Sequence, residues 1–184
     1  GAEPVAAVQL GLQDFPWQRL YPQDAGDMAL HSLTLDAEIT GMQADASLSA
    51  ELTGVAGQPL GLDVQVSANP EQLDVRELLL TTPAGQATGT VKLQLQPALE
   101  WQAELLLAAI DPGVFMAQLP GRLSGPLSIQ GSLDQQLALR ADWAVEGELR
   151  QQPLLFQGQV THQDAAWEIP ELLLTQGSNR IQAE

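Results

Sequence analysis

Apolar and polar residues alternate over most of this chain. Positions 33–39 read LTLDAEI, so that leucine, alanine and isoleucine fall on every second residue. The alternating segments are 33–39, 46–52, 60–66, 87–95, 101–107, 137–145 and 154–160. A period of two places the apolar side chains on one face of a strand and the polar side chains on the other. Many strands with one wet face favour an antiparallel sheet over a fold of alternating strands and helices.

Part of this strand pattern occurs twice. Residues 58–81 align without a gap on residues 152–175, at an offset of 94, and ten of the 24 aligned positions are identical. We extend the internal repeat to residues 58–88 and 152–182. Fixed self-similarity is typical of stacked units that share one continuous core. We therefore interpret residues 1–184 as a single β-repeat segment that forms a long surface or groove rather than a compact catalytic pocket.

Within each copy of the repeat, the apolar period slips by one residue. The apolar residues 73 and 75 are odd-numbered, whereas 78 and 80 are even-numbered, and the same change occurs between 167 and 169 and the pair 172 and 174. A slip of one residue within a strand is what a β-bulge produces, and a bulge bends its strand. Pro170 lies at the slip in the second copy, where a missing N–H is tolerated. The alternative is a pair of short, separate strands in each copy.

Two segments interrupt the alternation. Residues 111–121 begin with Asp-Pro and end with Pro-Gly, which predicts a single short helix with a capping aspartate and a sharp stop. We expect its Val114, Phe115 and Leu119 side chains to pack on the sheet. Residues 14–27, which contain two prolines and are the least regular part of the chain, are predicted to form a second short helix or a loop.

The apolar face of such a sheet must be hidden from water in one of two ways. It packs against a second sheet, or the sheet folds over and leaves a dry groove lined by aliphatic side chains, which is the kind of site that takes acyl chains. Small residues along the apolar positions leave room inside: Ala46, Ala50, Ala87, Gly89, Ala103 and Gly158. They also fit an ordinary sandwich core, and the pattern alone favours that core.

Composition narrows the function classes. The 184 residues carry a formal net charge of −16, and seven scattered basic residues are too few to neutralise a run of nucleic-acid phosphates. There is no cysteine, so no disulfide forms, and no run of about 20 apolar residues that would span a bilayer. We interpret the chain as an excised piece of a longer protein with at least one open sheet edge.

No constellation of catalytic residues stands out. His31 and His162 lie in the polar phase of a strand or at a strand end, and neither accompanies a nucleophile motif. Metal, calcium-loop and phosphate-loop patterns do not occur, and chance carboxylate pairs are inevitable with 23 acidic residues. Trp101, Trp143 and Trp167 fall in apolar phases and are predicted to be core residues. We expect neither an enzyme nor a bound cofactor or metal.

Residues 145–183 carry a specific cadence of glycine, proline and tryptophan. It reads VEGELRQQPL at 145–154, WEIPELLL at 167–174 and GSNRIQA at 177–183. This cadence resembles the TamB family, the inner-membrane-anchored subunits of the translocation and assembly module of diderm bacteria. Residues 134–143 fit the cadence more loosely. Before residue 95 the resemblance is only the general one to long AsmA-like repeat proteins.

The resemblance implies a long β-sheet folded lengthwise, a β-taco, with an apolar interior. It implies a periplasmic location between the inner and outer membranes. It also implies two roles, which are the passage of glycerophospholipids and the assembly of outer-membrane β-barrel proteins with TamA, a barrel partner of the Omp85 class. No residue of the cadence is catalytic. With the resemblance, a groove becomes favoured over a closed core.

We therefore predict an all-β fold, a long, curved, mainly antiparallel sheet folded lengthwise into an apolar-lined groove with one or two short helices. The predicted function is a non-enzymatic segment of an intermembrane bridge that carries glycerophospholipids and supports outer-membrane biogenesis. The side chains expected to contact acyl chains are Leu60, Leu62, Val64, Val66, Leu93, Leu95, Leu105, Leu107, Leu154, Phe156, Val160, Ile169, Leu172 and Leu174.

Two alternatives from other classes stay open. The first is an interaction module, in which an open sheet edge pairs with strands of a nascent outer-membrane barrel or autotransporter, or with the edge of a partner such as TamA. The second is a purely structural spacer or adhesin stalk, which carries no lipid. Neither alternative requires an accessible apolar groove.

Overall fold

Twelve antiparallel strands form one sheet in the order in which they occur along the chain. The structure, a computed structural model, describes residues 5–15, 29–53, 57–134, 136–164 and 166–183. The strands are β1 (Val5–Phe15), β2 (Ala29–Thr40), β3 (Gln43–Thr53), β4 (Pro59–Ala68), β5 (Gln72–Thr81), β6 (Gln86–Gln94), β7 (Leu99–Ile110), β8 (Gly121–Leu133), β9 (Leu137–Leu149), β10 (Gln152–Gln163), β11 (Ala166–Gln176) and β12 (Asn179–Ala183).

The sheet is open and curled rather than closed into a barrel. Each strand pairs with its neighbours in sequence, and β1 and β12 stand at opposite edges. Twisted sheets of more than about ten strands curl, split or flatten, and this one curls. The prediction of an all-β, taco-like antiparallel sheet is confirmed.

The register separates the side chains into two faces. Directly opposed residues of an antiparallel pair project to the same side, so the faces can be followed from strand to strand. Every Asp, Glu, Lys and Arg side chain of the described strands belongs to one face, called here the polar face, apart from Asp14, where a φ of 47° interrupts β1. The opposite side is called the apolar face.

Two rows of apolar residues cross the apolar face from β1 to β12, and residue pairs connect every step except that from Gly125 to Val145, which are close without forming a pair. The first row contains Leu12, Leu33, Ala50, Leu62, Leu80, Ala87, Leu107, Gly125, Val145, Phe156, Leu174 and Ile181. The second row contains Leu10, Leu35, Leu48, Val64, Leu78, Gly89, Leu105, Leu127, Trp143, Gly158, Leu172 and Ala183. Neighbouring strands lie about 4.8 Å apart, so each row extends for about 50 Å along the curled sheet.

Both predicted bulges are confirmed. β5 and β11 are continuous strands, and each shifts its register against the preceding strand at the expected place. In β5 the extra residue is Arg76, which falls between partners of Gln65 and Val66. In β11 the irregularity includes Pro170, which is 94 positions after Arg76. The alternative of two short strands in each copy is therefore wrong.

Two strands were not anticipated from the alternating runs. One is β1, which does alternate but was not among the predicted runs. The other is β8, whose alternation is interrupted by Pro126 inside the strand. Next to it, Gly125 has a φ of 138°, and no partner pairs opposite Gly125 and Pro126 are formed with β9. Proline lacks an N–H and is tolerated within a sheet at such irregularities. The irregular geometry therefore explains both the missing sequence signal and the survival of the strand.

The helix predicted at residues 111–121 is much shorter than expected. Only Pro112–Val114 is helical, as one 3-10 turn with Asp111 as its cap. Val114 is buried as predicted and Leu119 is half-buried, but Phe115 is 45% exposed. Of the second helix or loop predicted at residues 14–27, positions 14 and 15 belong to β1, and the others lie outside the described residues. No helix in the described ranges is long or apolar enough to cross a membrane.

Asp111 ties together both ends of the connection between β7 and β8. Its Oδ1 accepts hydrogen bonds from the backbone N–H of Gly113 at 2.8 Å and of Gly121 at 2.9 Å. The Arg150 guanidinium adds a hydrogen bond to the backbone oxygen of Gln118 at 2.8 Å. The connection is thus held by side chain to backbone bonds rather than by a continued helix.

Glycines on the apolar face lie beneath the tryptophans of neighbouring strands. A Cβ atom on Gly131 would overlap the indole of Trp101, and a Cβ on Gly158 would lie 2.8 Å from Cζ2 of Trp143. Glycine inside a strand often marks such a close approach. The two indoles can therefore lie over the backbone of the next strand instead of standing away from the sheet.

We predict that Gly131→Ala destabilises the fold by about 1–3 kcal/mol, because the added methyl group must displace the Trp101 ring or its own strand. Gly61→Ala is the matched control, since a Cβ there meets only the Cβ of Thr81 at 3.6 Å. Urea unfolding midpoints measure both changes. Equal midpoints for the two variants would show that Gly131 is not required by the indole.

We also predict that Asp111→Ala lowers the free energy of unfolding by about 1 kcal/mol, as expected for loss of a capping side chain. Asp111→Asn keeps the acceptor oxygen and should retain most of the stability. Hydrogen exchange of the Gly113 and Gly121 amides provides a local measurement. Unchanged protection of both amides in the alanine variant would contradict the proposed role of Asp111.

Candidate functional site

The candidate site is the apolar face. Thirteen of the fourteen predicted groove residues share this face, and the fourteenth, Leu95, follows the end of β6. The first row holds Leu62, Leu107, Phe156 and Leu174, and the second holds Val64, Leu105 and Leu172. The others on this face are Leu60, Val66, Leu93, Leu154, Val160 and Ile169. Their contact with a lipid stays a prediction.

No second sheet covers the apolar face in the described part of the chain. Only six hydrophobic residues there are fully buried, and they are Ala50, Leu60, Ala87, Ile110, Val114 and Val145. Leu95 and Ile169 are 43% and 50% exposed, Leu60 is buried, and the other predicted groove residues are half-buried. The sandwich core that the alternating pattern alone favours is therefore not formed by these residues. The apolar face is therefore one uncovered side of an open, curled sheet, and it is called the trough below.

The three tryptophans of the described strands do not share one environment. Trp101 and Trp143 are half-buried on the apolar face, and the Trp143 ring lies 5.2 Å from that of Phe156. Trp167 is 62% exposed, so the prediction that it is a core residue is wrong. It lies in the part of β11 that β12 does not cover, and its only ring contact among the described residues is with His162, at 4.5 Å.

Polar side chains on the apolar face are confined to the strand ends. His162 lies opposite Leu139 and Trp167 near the end of β10, and its Nδ1 is 3.0 Å from the Leu137 carbonyl oxygen. At the other end, Gln176 lies between Leu154 and Asn179. His31 lies in β2, and its Nε2 is 2.6 Å from the Thr53 hydroxyl oxygen. The two histidines are not brought together, and among the described residues the only polar atom of a side chain in the two rows away from the strand ends is the indole N–H of Trp143.

The polar face carries exposed ion pairs. Arg76 meets Asp45 at 2.9 Å, and Arg140 makes two hydrogen bonds to Asp142, at 2.8 and 3.0 Å. The hydrogen bond to Asp142 and the charge of that carboxylate raise the pKa of Arg140 above its ordinary value. Exposed pairs contribute little to stability, so we interpret this face as a solvated surface. Among the described residues, no group of three or more acidic or histidine side chains is placed to hold a metal ion.

A depression of about 810 Å³ crosses β5 to β10 near one end of the strands. Its lining takes three consecutive residues from each strand, at 72–74, 92–94, 100–102, 130–132, 138–140 and 161–163. In each set the middle residue belongs to the apolar face and the two flanking residues belong to the polar face. The apolar-face residues two positions away from the middle residue do not line the depression. The walls of the depression are therefore formed by the flanking side chains of the polar face. This depression lies on the polar face and is separate from the trough.

Sequence reasoning missed part of the trough. The predicted set contains no residue of β1, β2 or β3, although Leu10, Leu35 and Leu48 begin the second row. It also omits Leu127 and Trp143 from the middle of that row. Alternation was visible at most of these positions. That these residues line up from strand to strand follows from the pairing register, and the register cannot be read from the alternation of a single strand.

Comparison with known proteins identifies one family. A family model described as TamB, N-terminal domain, matches residues 4–184, which is nearly the whole chain. No solved structure matches the chain.

Proposed function

The chain belongs to the TamB family, and from this premise we propose that it is a segment of a lipid-carrying bridge between two membranes. The family supports a role in the translocation and assembly module, and its members are envelope proteins. It is not known for an enzymatic activity. We propose that glycerophospholipid acyl chains move along the apolar face between the inner and outer membranes of a diderm bacterium.

The observation that carries this proposal is the pair of apolar rows on an uncovered face. Each row is about 50 Å long, which exceeds the roughly 30 Å of hydrocarbon that two opposed acyl chains fill in a bilayer. On a trough of this length, an acyl chain that moves past one strand keeps apolar contacts with the neighbouring strands throughout the movement. A closed pocket would hold a chain at one place.

Transport also requires that no single contact be strong. Each buried methylene contributes about 0.8 kcal/mol, and the rows repeat similar aliphatic contacts from strand to strand. A chain that slides by one strand spacing therefore exchanges contacts of similar strength. Apart from Asp14, the charged side chains of the described strands lie on the polar face, so the two apolar rows offer no ion pair that would hold a headgroup.

An edge-pairing function is the second candidate. β12 pairs only with Leu172–Gln176, so Ala166–Glu171 of β11 has no strand partner on that side in the described residues. Such an edge accepts an added strand, for example from a nascent outer-membrane barrel or from a TamA-type partner. Pro170 lies within this stretch and lacks a backbone N–H, which weakens strand addition there. At the opposite edge, β1 contains no proline and could also accept a strand. We prefer the lipid function because the apolar rows cross the whole sheet.

We predict that Phe156→Asp or Leu62→Arg blocks lipid passage. An unpaired charge placed in an apolar site raises the free energy of the occupied trough by several kcal/mol. Transfer of labelled phospholipid between donor and acceptor membranes by the full-length protein measures the effect, with circular dichroism as the test of folding.

The matched controls lie beside these residues on the polar face. Gln157→Asp and Gln65→Arg introduce the same charges within three positions, but on the other side of the sheet. Both should leave transfer near the wild-type rate. Normal transfer by a folded Phe156→Asp protein would contradict the lipid function.

A photoreactive residue at position 156 distinguishes the candidate functions in cells. Because Phe156 lies in the first row, we expect crosslinks to phospholipid, detected by mass spectrometry of the labelled band. Crosslinks to barrel proteins alone would favour edge pairing or a chaperone role. Absence of any crosslink, together with no lipid in native mass spectra of the purified protein, would favour a stalk.

A further inference from the structure

Trp143 is unusual among the residues of the apolar face because it carries a donor with no acceptor. Its indole Nε1 is buried and makes no hydrogen bond to any described residue. An indole N–H is a donor only, and buried donors in folded proteins are nearly always paired. The Trp143 N–H therefore calls for a physical explanation.

The immediate surroundings of the ring contain no acceptor side chain. In the second row, Trp143 stands between Leu127 and Gly158, and Leu172 follows on the next strand. The Phe156 ring, 5.2 Å away and inclined by 41°, offers no more than a weak N–H to π contact. The side chains around Nε1 are thus apolar, and the nearby backbone oxygen of Glu171, 2.8 Å from the position of a Gly158 Cβ, makes no hydrogen bond with it.

The ring is nevertheless placed where a ligand in the trough would meet it. The Trp143 side chain as a whole is half-buried, so part of the indole faces the open trough. Gly158 lies beneath it, and the position of a glycine Cβ would be 2.8 Å from Cζ2 and 3.2 Å from Cε2. Nε1 itself is covered in this structure, so contact with a ligand requires the indole to turn over Gly158, from which no side chain rises.

We propose that the Trp143 N–H donates a hydrogen bond to the ester carbonyl of a glycerolipid lying in the trough. This inference rests on the lipid function proposed above and specifies its substrate class. A diacyl glycerolipid is apolar along its tails, and its ester carbonyls are the first acceptors at the boundary with the headgroup. A single neutral hydrogen bond is weak enough to be made and released during transport. It also selects acyl esters over hydrocarbons without carbonyls.

The test compares two lipids that differ only at this group. Phosphatidylethanolamine with two ester-linked chains and its analogue with two ether-linked chains share headgroup and tails, but the ether lipid has no carbonyl. Competition for the full-length protein, read by native mass spectrometry, gives the preference. We expect the wild-type protein to favour the ester lipid by about threefold to tenfold, as one neutral hydrogen bond provides.

Two variants assign that preference to Trp143. Trp143→Phe keeps an aromatic ring over Gly158 but removes the N–H, and it should bind both lipids equally. Trp101→Phe is the matched control, because Trp101 lies over Gly131 on the same face in the same manner. It should keep the ester preference. Equal binding of the two lipids by wild type, or a preference retained in Trp143→Phe, would overturn the inference.

A second measurement needs no folded variant at the site. In protein with ¹⁵N-labelled tryptophan, the Trp143 indole proton resonance should move downfield on addition of the ester lipid and stay in place with the ether lipid. Shifts of equal size with both lipids would overturn the inference while leaving the lipid function intact. If the wild-type protein binds neither lipid, the proposed function itself fails, and the inference fails with it.

Discussion

The separation of charge from hydrocarbon across one layer of backbone is the constraint on which this structure depends. Twelve strands keep all but one of their charged side chains on the polar face, and the hydrogen-bonded register carries that separation across every pair. If the register of any strand pair slipped by one residue, the charged side chains of one strand would point to the apolar face. The bulges at Arg76 and Pro170 permit a local change of phase in sequence while the apolar side chains stay on one face.

This constraint explains why the protein has so few fully buried residues and still forms a regular sheet. Backbone pairing and cross-strand contacts hold neighbouring strands together, and curling brings apolar side chains nearer to one another without a second layer. Where the Trp101 and Trp143 rings lie on the apolar face, the residue beneath each ring on the next strand is a glycine, which leaves room for the ring, as Gly158 does beneath Trp143. The result is an apolar surface that is continuous along the sheet but still reachable from one side.

The two faces of the sheet have different roles. The polar face, with exposed pairs such as Arg140 and Asp142, keeps a highly acidic chain in water. The apolar face supplies repeated contacts of similar strength, which suits movement of an acyl chain better than capture. The proposed lipid function rests on family membership together with the chemistry of the uncovered apolar side chains.

Alternation in the sequence by itself determined most strands, the one-sided distribution of charge and both bulges, because the side-chain period of a strand is local and survives without any partner. It missed β8, where Pro126 and Gly125 break the period, and it predicted a core position for Trp167, which is 62% exposed. Only the tertiary structure decided that the apolar face stays open. Whether a second layer covers a face depends on how distant strands meet, and a sandwich and a trough require the same local pattern.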